Sequence, residues 1–197
     1  ETTYVNNGFT TVDGWEIANA EKGQRGTITM QTALNYSLNT GSMQALMWLG
    51  GDPSEITQAG REKLYEYYHD KFGFGEATGI EPIESTGLIV GPNEGVGLNS
   101  RYANMTFGQN LNLTMMQVAA AFSAVVNGGH YYTPTMVAGE MKDGKFIKNK
   151  QNEAVRDVIS EDTSATMRRM LWGTRSARRI YGIDNIVGKK LILPVKM

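Results

Sequence analysis

Residues 26–51 read GTITMQTALNYSLNTGSMQALMWLGG, and this stretch carries most of the fold prediction. A short helix is expected to begin after Thr27 or Thr29, because either hydroxyl can accept a hydrogen bond from the first helical turn. Its apolar positions are Met30, Ala33 and Leu34. A second helix has its apolar positions at Met43, Leu46 and Met47, and Gly50-Gly51 ends it. Ser37-Leu38-Asn39 is therefore predicted to lie at a junction between two helices.

Outward from this stretch, the first 26 residues are rich in Thr, Asn and Gly and predict a loop with one or two short strands. A third helix is indicated on the C-terminal side, ending at Gly73, and a glycine-rich loop follows to Gly97. Its apolar positions are Ile56, Leu64, Tyr67, Tyr68 and Phe72.

The last third of the chain contains a helix, a hairpin and a further helix. Thr114 and Gln117 form a capping-box pattern for a helix over 114–127, which is expected to be largely buried. Its predicted apolar stripe consists of Met115, Val118, Ala119, Phe122 and Val126. Asp143-Gly144 predicts a hairpin between 135–141 and 145–148, and Ser160 can cap the final helix.

Composition excludes several classes of function. The 197 residues include 19 basic and 20 acidic side chains. The net charge is therefore close to zero and provides no overall electrostatic attraction to nucleic acid or to an anionic membrane. The chain has no Cys and only two histidines, His69 and His130, so neither a metal nor another cofactor is expected. The five arginines between 168 and 179 are interpreted as a solvated helix face.

Several blocks occur in a specific order along the chain. The first block is 29–41, which ends in Ser37-Leu38-Asn39-Thr40-Gly41, and the second is 72–80. The third is Thr106-Phe107-Gly108-Gln109, and the fourth is 113–134, which contains Asn127-Gly128-Gly129. This ordered set resembles the transpeptidase domain of class B penicillin-binding proteins. The resemblance covers about residues 26–189 of a single partial domain over 1–197, and 190–197 form an atypical tail. It implies an α+β fold, mostly helical, with an incomplete antiparallel sheet because both ends of the domain are expected to be missing.

The resemblance also implies roles for particular residues. In this family a Ser in an S-x-x-K motif attacks the D-Ala-D-Ala carbonyl of a peptidoglycan stem peptide, and β-lactams acylate the same Ser. Ser37 would be the serine of the S-x-N motif, which relays a proton to the leaving group. Asn39 would hydrogen-bond the motif Lys and the substrate amide. Lys189 would hold the place of the K-T-G lysine, but Lys190 and Leu191 replace the other two residues of that motif.

No Ser stands three residues before any Lys of this chain, so the nucleophile is absent from it. The intact parent is accordingly expected to be a D,D-transpeptidase that uses no cofactor, and this chain to be inactive alone. Two alternatives stay open: a non-catalytic scaffold or binding module of the cell envelope, and a β-lactamase or β-lactam sensor of related fold.

The expected partners of the parent are stem peptides and β-lactams, on the extracytoplasmic face of the bacterial inner membrane. Nucleic acid is not an expected partner, and the membrane is expected to be contacted only through an N-terminal anchor absent from this chain. Apolar surface left bare by missing strands should be exposed and should promote self-association.

Overall fold

The computed structural model describes residues 2–20, 24–80, 82–150 and 153–180, with only the backbone of 177–180. The strands are β1 (Thr3–Asn6), β2 (Phe9–Val12), β3 (Trp15–Ala18), β4 (Gly26–Thr29), β5 (His130–Tyr131), β6 (Gly139–Lys142), β7 (Lys145–Lys148) and β8 (Arg156–Asp157). The helices are α1 (Met30–Asn35), α2 (Asn39–Leu49), α3 (Gln58–Tyr65), a π-helix (Glu66–Lys71), α4 (Leu98–Met105), α5 (Met115–Val126) and α6 (Glu161–Ile180). The chain therefore has the expected α+β character, with more residues in helices than in strands.

The strands of the described residues form four separate antiparallel pairs, β1 with β4, β2 with β3, β5 with β8, and β6 with β7. The N-terminal region holds more strand than the sequence predicted, because β1 pairs with β4 across an intervening hairpin. Thr27 lies within β4, whereas Thr29 caps α1 by accepting from the amide of Thr32 at 3.0 Å. The predicted turn at Asp143-Gly144 is confirmed, with positive φ at both residues, although its first strand begins at Gly139.

Helices α2 and α3 approach closely at two glycines. A Cβ atom on Gly50 would lie 2.4 Å from the hydroxyl oxygen of Thr57 and 3.0 Å from the Cα of Gly60. Thr57 caps α3, which runs directly into the π-helix, and Gly73 at φ +72° follows the last turn. The predicted third helix and its glycine stop are thus confirmed.

The largest apolar cluster lies between α2 and α4. Met43, Tyr102 and Met105 are fully buried there, and the Tyr102 hydroxyl donates to the carbonyl of Val90 at 2.7 Å. Burial raises the pKa of the Tyr102 phenol, so this donor keeps its proton. Helix α4 was not predicted from the sequence, because its N-cap is Gly97, which has no side chain to supply a capping oxygen.

Helix α5 has the predicted capping box but buries the opposite face from the one expected. The buried positions are Gln117, Ala120, Ala121 and Ala124. The predicted stripe is mostly exposed, with Met115 at 82%, Phe122 at 56% and Val118 at 43%. Small alanines allow close approach of Tyr131 and Val158, whereas the large side chains point away from them. The prediction of a largely buried helix was wrong, because the large apolar side chains of this helix are exposed.

Helix α6 crosses both α5 and α1. Ser160 caps it as predicted, through the amide of Thr163 at 3.2 Å. Its Arg168 donates to the carbonyl of Val126 at the C-terminal end of α5. Near Gly173, the side-chain nitrogen of Gln31 in α1 donates to the carbonyl of Met170 at 3.0 Å. Across the described ranges, no helix is both long and apolar enough to cross a bilayer.

The Gln117 side chain connects α5 to two loops. It is fully buried, and its oxygen accepts from the amide of Thr114 at 2.8 Å. Its nitrogen donates to the carbonyls of Glu76 and Thr86 at 2.7 and 2.8 Å. One buried side-chain amide thus bonds to backbone groups in three separate segments.

We expect the substitution Gln117→Leu to lower the free energy of unfolding by about 2–4 kcal/mol, because it leaves these backbone groups without hydrogen bonds. Urea unfolding of the chain followed by circular dichroism measures the change. The matched control is Gln44→Leu, which removes a single hydrogen bond to the carbonyl of Pro53 and should lose about 1 kcal/mol or less. Equal losses for the two variants would contradict the connecting role of Gln117.

Candidate active site

The junction between α1 and α2 is a Schellman turn. The amide of Leu38 donates to the carbonyl of Ala33 at 2.9 Å, and that of Ser37 to the carbonyl of Leu34 at 3.2 Å. Leu38 and Ala33 are both buried and belong to the same apolar cluster, which is the hydrophobic contact typical of this turn. The turn fixes the direction in which α2 leaves α1.

Ser37 occupies the left-handed position of this turn, with φ at +53°. Glycine is the residue normally favoured there, because a Cβ atom in the left-handed region clashes with the backbone at a cost of about 1–2 kcal/mol. The side chain is exposed, and its hydroxyl makes no hydrogen bond to any described residue. Ser37 is thus held in a conformation that serine disfavours, with an exposed hydroxyl that has no partner among the described residues.

Asn39 is the first residue of α2 and is held by strand β3. Its side-chain nitrogen donates to the carbonyl of Ala18 at 2.8 Å. The next amide of the helix, that of Thr40, donates to the side-chain oxygen of Asn19 at 3.0 Å. Asn19 therefore caps α2 from a distant part of the chain, since the N-cap residue Leu38 has no polar side chain.

A buried polar network lies directly behind Asn39. The side-chain oxygen of Asn6 accepts from the amide of Gly8, the side-chain nitrogen of Asn19 and the hydroxyl of Thr40, at 2.9 to 3.1 Å. The Tyr4 hydroxyl lies 3.0 Å from that of Thr40. Burial raises the pKa of the Tyr4 phenol, so it stays protonated. Because the single hydroxyl proton of Thr40 is donated to Asn6, the Tyr4 hydroxyl is the donor of this pair. The network anchors the start of α2 to strand β1.

Asn39 also lines a cavity of about 520 Å³. Strand β3 forms one wall, and the remaining lining residues are Asn39, Ser100, Asn104, Phe107 and Gln109. Two of these, Phe107 and Gln109, belong to the block Thr106-Phe107-Gly108-Gln109 quoted above. The sequence analysis used this block only for the family resemblance and did not predict that it lines a cavity beside Asn39.

The structure brings together two of the three predicted site residues. Ser37 and Asn39 lie on one rigid junction, and of these Asn39 lines the cavity. Lys189 lies outside the described residues. Sequence analysis missed Asn6, Asn19 and Trp15, and only the Asp13-Gly14 turn, which places Trp15 at the start of β3, gives a local sequence signal for one of them.

The two histidines lie away from this junction. His69 in the π-helix contacts Asp70 at 2.8 Å and stacks on the ring of Tyr65. His130 in β5 contacts Asp157 at 2.6 Å. In the part of the chain that the structure describes, no group of three or more His, Asp or Glu side chains is arranged to hold a metal ion.

Two curated relatives show how far the likeness extends along the sequence. Stage V sporulation protein D of Bacillus subtilis is 37% identical over 169 residues, covering 84% of this chain and 24% of the relative. Penicillin-binding protein PbpB of Mycolicibacterium smegmatis is 29% identical over 150 residues, covering 74% of this chain and 22% of the relative. The chain thus spans about a quarter of the length of these relatives.

Solved structures show the same relationship in three dimensions. Penicillin-binding protein 2B of Streptococcus pneumoniae superposes with a TM-score of 0.69 at 27% identity, covering 86% of this chain and 30% of that one. Penicillin-binding protein 3 of Mycobacterium tuberculosis, solved in complex with aztreonam, gives a TM-score of 0.64 at 26% identity, covering 83% and 34%.

The family described as the penicillin binding protein transpeptidase domain matches residues 1–189, nearly the whole chain. The match includes the strands before residue 26 as well as the blocks that carried the resemblance. With the relatives and solved structures above, it shows that the chain belongs to the transpeptidase-domain family of the penicillin-binding proteins.

Proposed function

We propose that the protein cross-links peptidoglycan stem peptides as a D,D-transpeptidase, and that this chain supplies the S-x-N part of its active site. The observation that carries the proposal is the hydroxyl of Ser37, which is exposed, has no hydrogen-bond partner among the described residues and is held in a left-handed conformation on a rigid junction. Membership of the transpeptidase-domain family supports the reaction class.

Acyl transfer requires a nucleophile and a controlled route for its proton. The attacking serine oxygen bonds to the D-Ala carbonyl carbon, the peptide C–N bond breaks, and the departing amine takes up a proton. We assign that proton delivery to Ser37. Asn39, whose nitrogen is engaged by Ala18, would offer its side-chain oxygen to the substrate amide or to the motif lysine. Lys189 would help to orient Ser37 and to attract the substrate carboxylate.

The nucleophile in this proposal lies outside residues 1–197, because the chain has no S-x-x-K motif. β-Lactams would acylate that serine in place of the stem peptide, and the aztreonam complex of a related protein supports this ligand class. In this proposal the protein acts on the extracytoplasmic face of the bacterial inner membrane, where stem peptides are cross-linked.

The absence of S-x-x-K from these residues also favours a second candidate, a penicillin-binding-like scaffold of the cell envelope without catalysis. The two candidates differ in whether the S-x-N junction works when a nucleophile is supplied. The following experiments separate them.

The chain alone should form no stoichiometric adduct with a labelled β-lactam, because no serine in it has the required lysine neighbour. Intact-mass spectrometry after incubation measures this, and peptide mapping would locate any adduct. One acyl group on a single serine would contradict the assignment of the nucleophile to a segment outside residues 1–197.

A chimera tests the junction in a complete site. A family member with S-x-x-K and K-T-G motifs receives residues 1–180 of this chain in place of its aligned segment. We expect acylation by a fluorescent penicillin, and we expect Ser37→Ala to slow it by about 100-fold or more, as loss of a proton-transfer group does. Ser42→Ala, one turn into α2, is the matched control and should leave the rate unchanged. A folded chimera that is not acylated would favour the scaffold.

Because Ser37 is in a left-handed conformation, replacing it by glycine is expected to increase stability and to decrease activity. Ser37→Gly relieves the left-handed strain and should raise the free energy of unfolding of the chain by about 0.5–1 kcal/mol. In the chimera the same variant should be as impaired in acylation as Ser37→Ala. Urea unfolding and acylation kinetics measure the two effects, and a less stable Ser37→Gly would show that the hydroxyl serves the fold instead.

A further inference from the structure

A separate cavity, of about 330 Å³, has no part in the proposed reaction. It lies between an extended segment, helix α4 and the loop that follows α4, and its lining residues are Leu88, Val90, Arg101, Asn110, Leu111 and Asn112. None of these residues lines the cavity beside Asn39. The volume is within the range of small-ligand sites.

The walls of this cavity are held by backbone hydrogen bonds and by the main apolar cluster. Leu88 and Asn112 exchange two backbone hydrogen bonds, at 2.8 and 2.9 Å, so their side chains stand on the same face of an antiparallel pair. Val90 and Leu111 pack against the cluster that contains Tyr102, and the Tyr102 hydroxyl bonds to the carbonyl of Val90. A ligand would therefore enter a preformed cavity, at little cost in ordering the chain.

Arg101 is the single charged side chain among the described residues that line this cavity. It lies in α4 and is exposed. Of the arginines whose side chains the structure describes, the other six each make a hydrogen bond or a ring contact, whereas Arg101 has no such partner among the described residues. Its planar guanidinium thus keeps its donors available, and two parallel donors match the two oxygens of a carboxylate.

The rest of the lining combines apolar surface with two side-chain amides. Leu88 is 62% exposed, so a ligand can cover it together with the partly buried Val90 and Leu111. The side chains of Asn110 and Asn112 make no hydrogen bond to a described residue. A carboxamide both donates and accepts, so either one can pair with a peptide bond. A ligand matched to this lining carries one carboxylate, one apolar group and an amide.

We propose that this cavity binds the carboxyl end of a protein or peptide whose last residue is a large apolar one such as leucine. Arg101 would pair with the terminal carboxylate, the last side chain would cover Leu88, and the two asparagines would bond to the preceding peptide bond. A phosphate monoester fits less well, because it brings a charge of about −1.5 to −2 to a single cation and has no apolar group. The inference does not rest on the proposed transpeptidase function.

The test is an NMR titration of the isotope-labelled chain with N-acetyl-L-alanyl-L-leucine. We expect saturable shifts of the side-chain amides of Asn110 and Asn112. Arg101→Gln should weaken binding by about tenfold or more, and Arg101→Lys should weaken it several-fold, because an ammonium keeps the charge but loses the planar pair of donors. The matched control is Arg169→Gln, which removes an exposed helical arginine that does not line the cavity and should leave binding unchanged.

Three further ligands define the chemistry. The carboxamide of the same dipeptide should bind about tenfold more weakly or worse, and inorganic phosphate should cause no saturable shift at these amides. N-acetyl-D-Ala-D-Ala has the carboxylate with only a methyl group beside it, so it should bind several-fold more weakly. This arm separates the end of a protein chain from the end of a stem peptide.

Absence of saturable dipeptide binding, or binding unaffected by Arg101→Gln, would overturn the site itself. Equal binding of the carboxamide, or saturable binding of phosphate, would overturn the carboxylate assignment, and equal binding of N-acetyl-D-Ala-D-Ala would overturn the choice of a large apolar end. None of these readouts depends on acylation, so failure here is distinguishable from failure of the chimera experiment.

Discussion

The side-chain oxygen of Asn6 is the acceptor on which the candidate site depends. It accepts three hydrogen bonds inside the protein, from a turn amide, from Asn19 and from Thr40, and each donor comes from a different segment. A fully buried amide is tolerated only when its polar atoms have partners, so these segments are obliged to meet at this point. Because Thr40 is the second residue of α2, the start of that helix is fixed relative to β1 and β3.

This constraint explains how the junction can hold a serine in a conformation that serine disfavours. The Schellman turn anchors one side of Ser37 through Leu38, and the Asn6 network anchors the other through Thr40. The two anchors together supply several hydrogen bonds, whose combined contribution exceeds the roughly 1–2 kcal/mol of strain at one left-handed residue. The strain is therefore localised at Ser37, where the hydroxyl is exposed, and is not relieved by movement of either helix.

Sequence analysis succeeded where the structure is decided by near neighbours. Thr114, Ser160 and the Asp143-Gly144 turn act within three or four residues of themselves, and each was predicted with its role. The pairing of β1 with β4 and the remote cap from Asn19 join residues about twenty apart, which local patterns do not encode.

The prediction of which face of α5 is buried was wrong for a different reason. Hydrophobic periodicity identifies an apolar stripe, but the partner decides which face is buried. Tyr131 and Val158 pack against alanines, and Gln117 can be buried because its own hydrogen bonds are complete.

Asn39 links strand β3 to the S-x-N junction. Its nitrogen is committed to the carbonyl of Ala18 in β3, the same strand that carries Trp15 and Glu16 into the cavity. A ligand that moved β3 would therefore also act on Asn39, and through the neighbouring amide of Thr40 on the Asn6 network. Conversely, a rigid network keeps β3 and the S-x-N junction at a fixed separation. In the proposed reaction, that fixed separation limits which part of a stem peptide can reach Ser37, so that substrate selection would follow from the geometry of two short elements and one hydrogen bond.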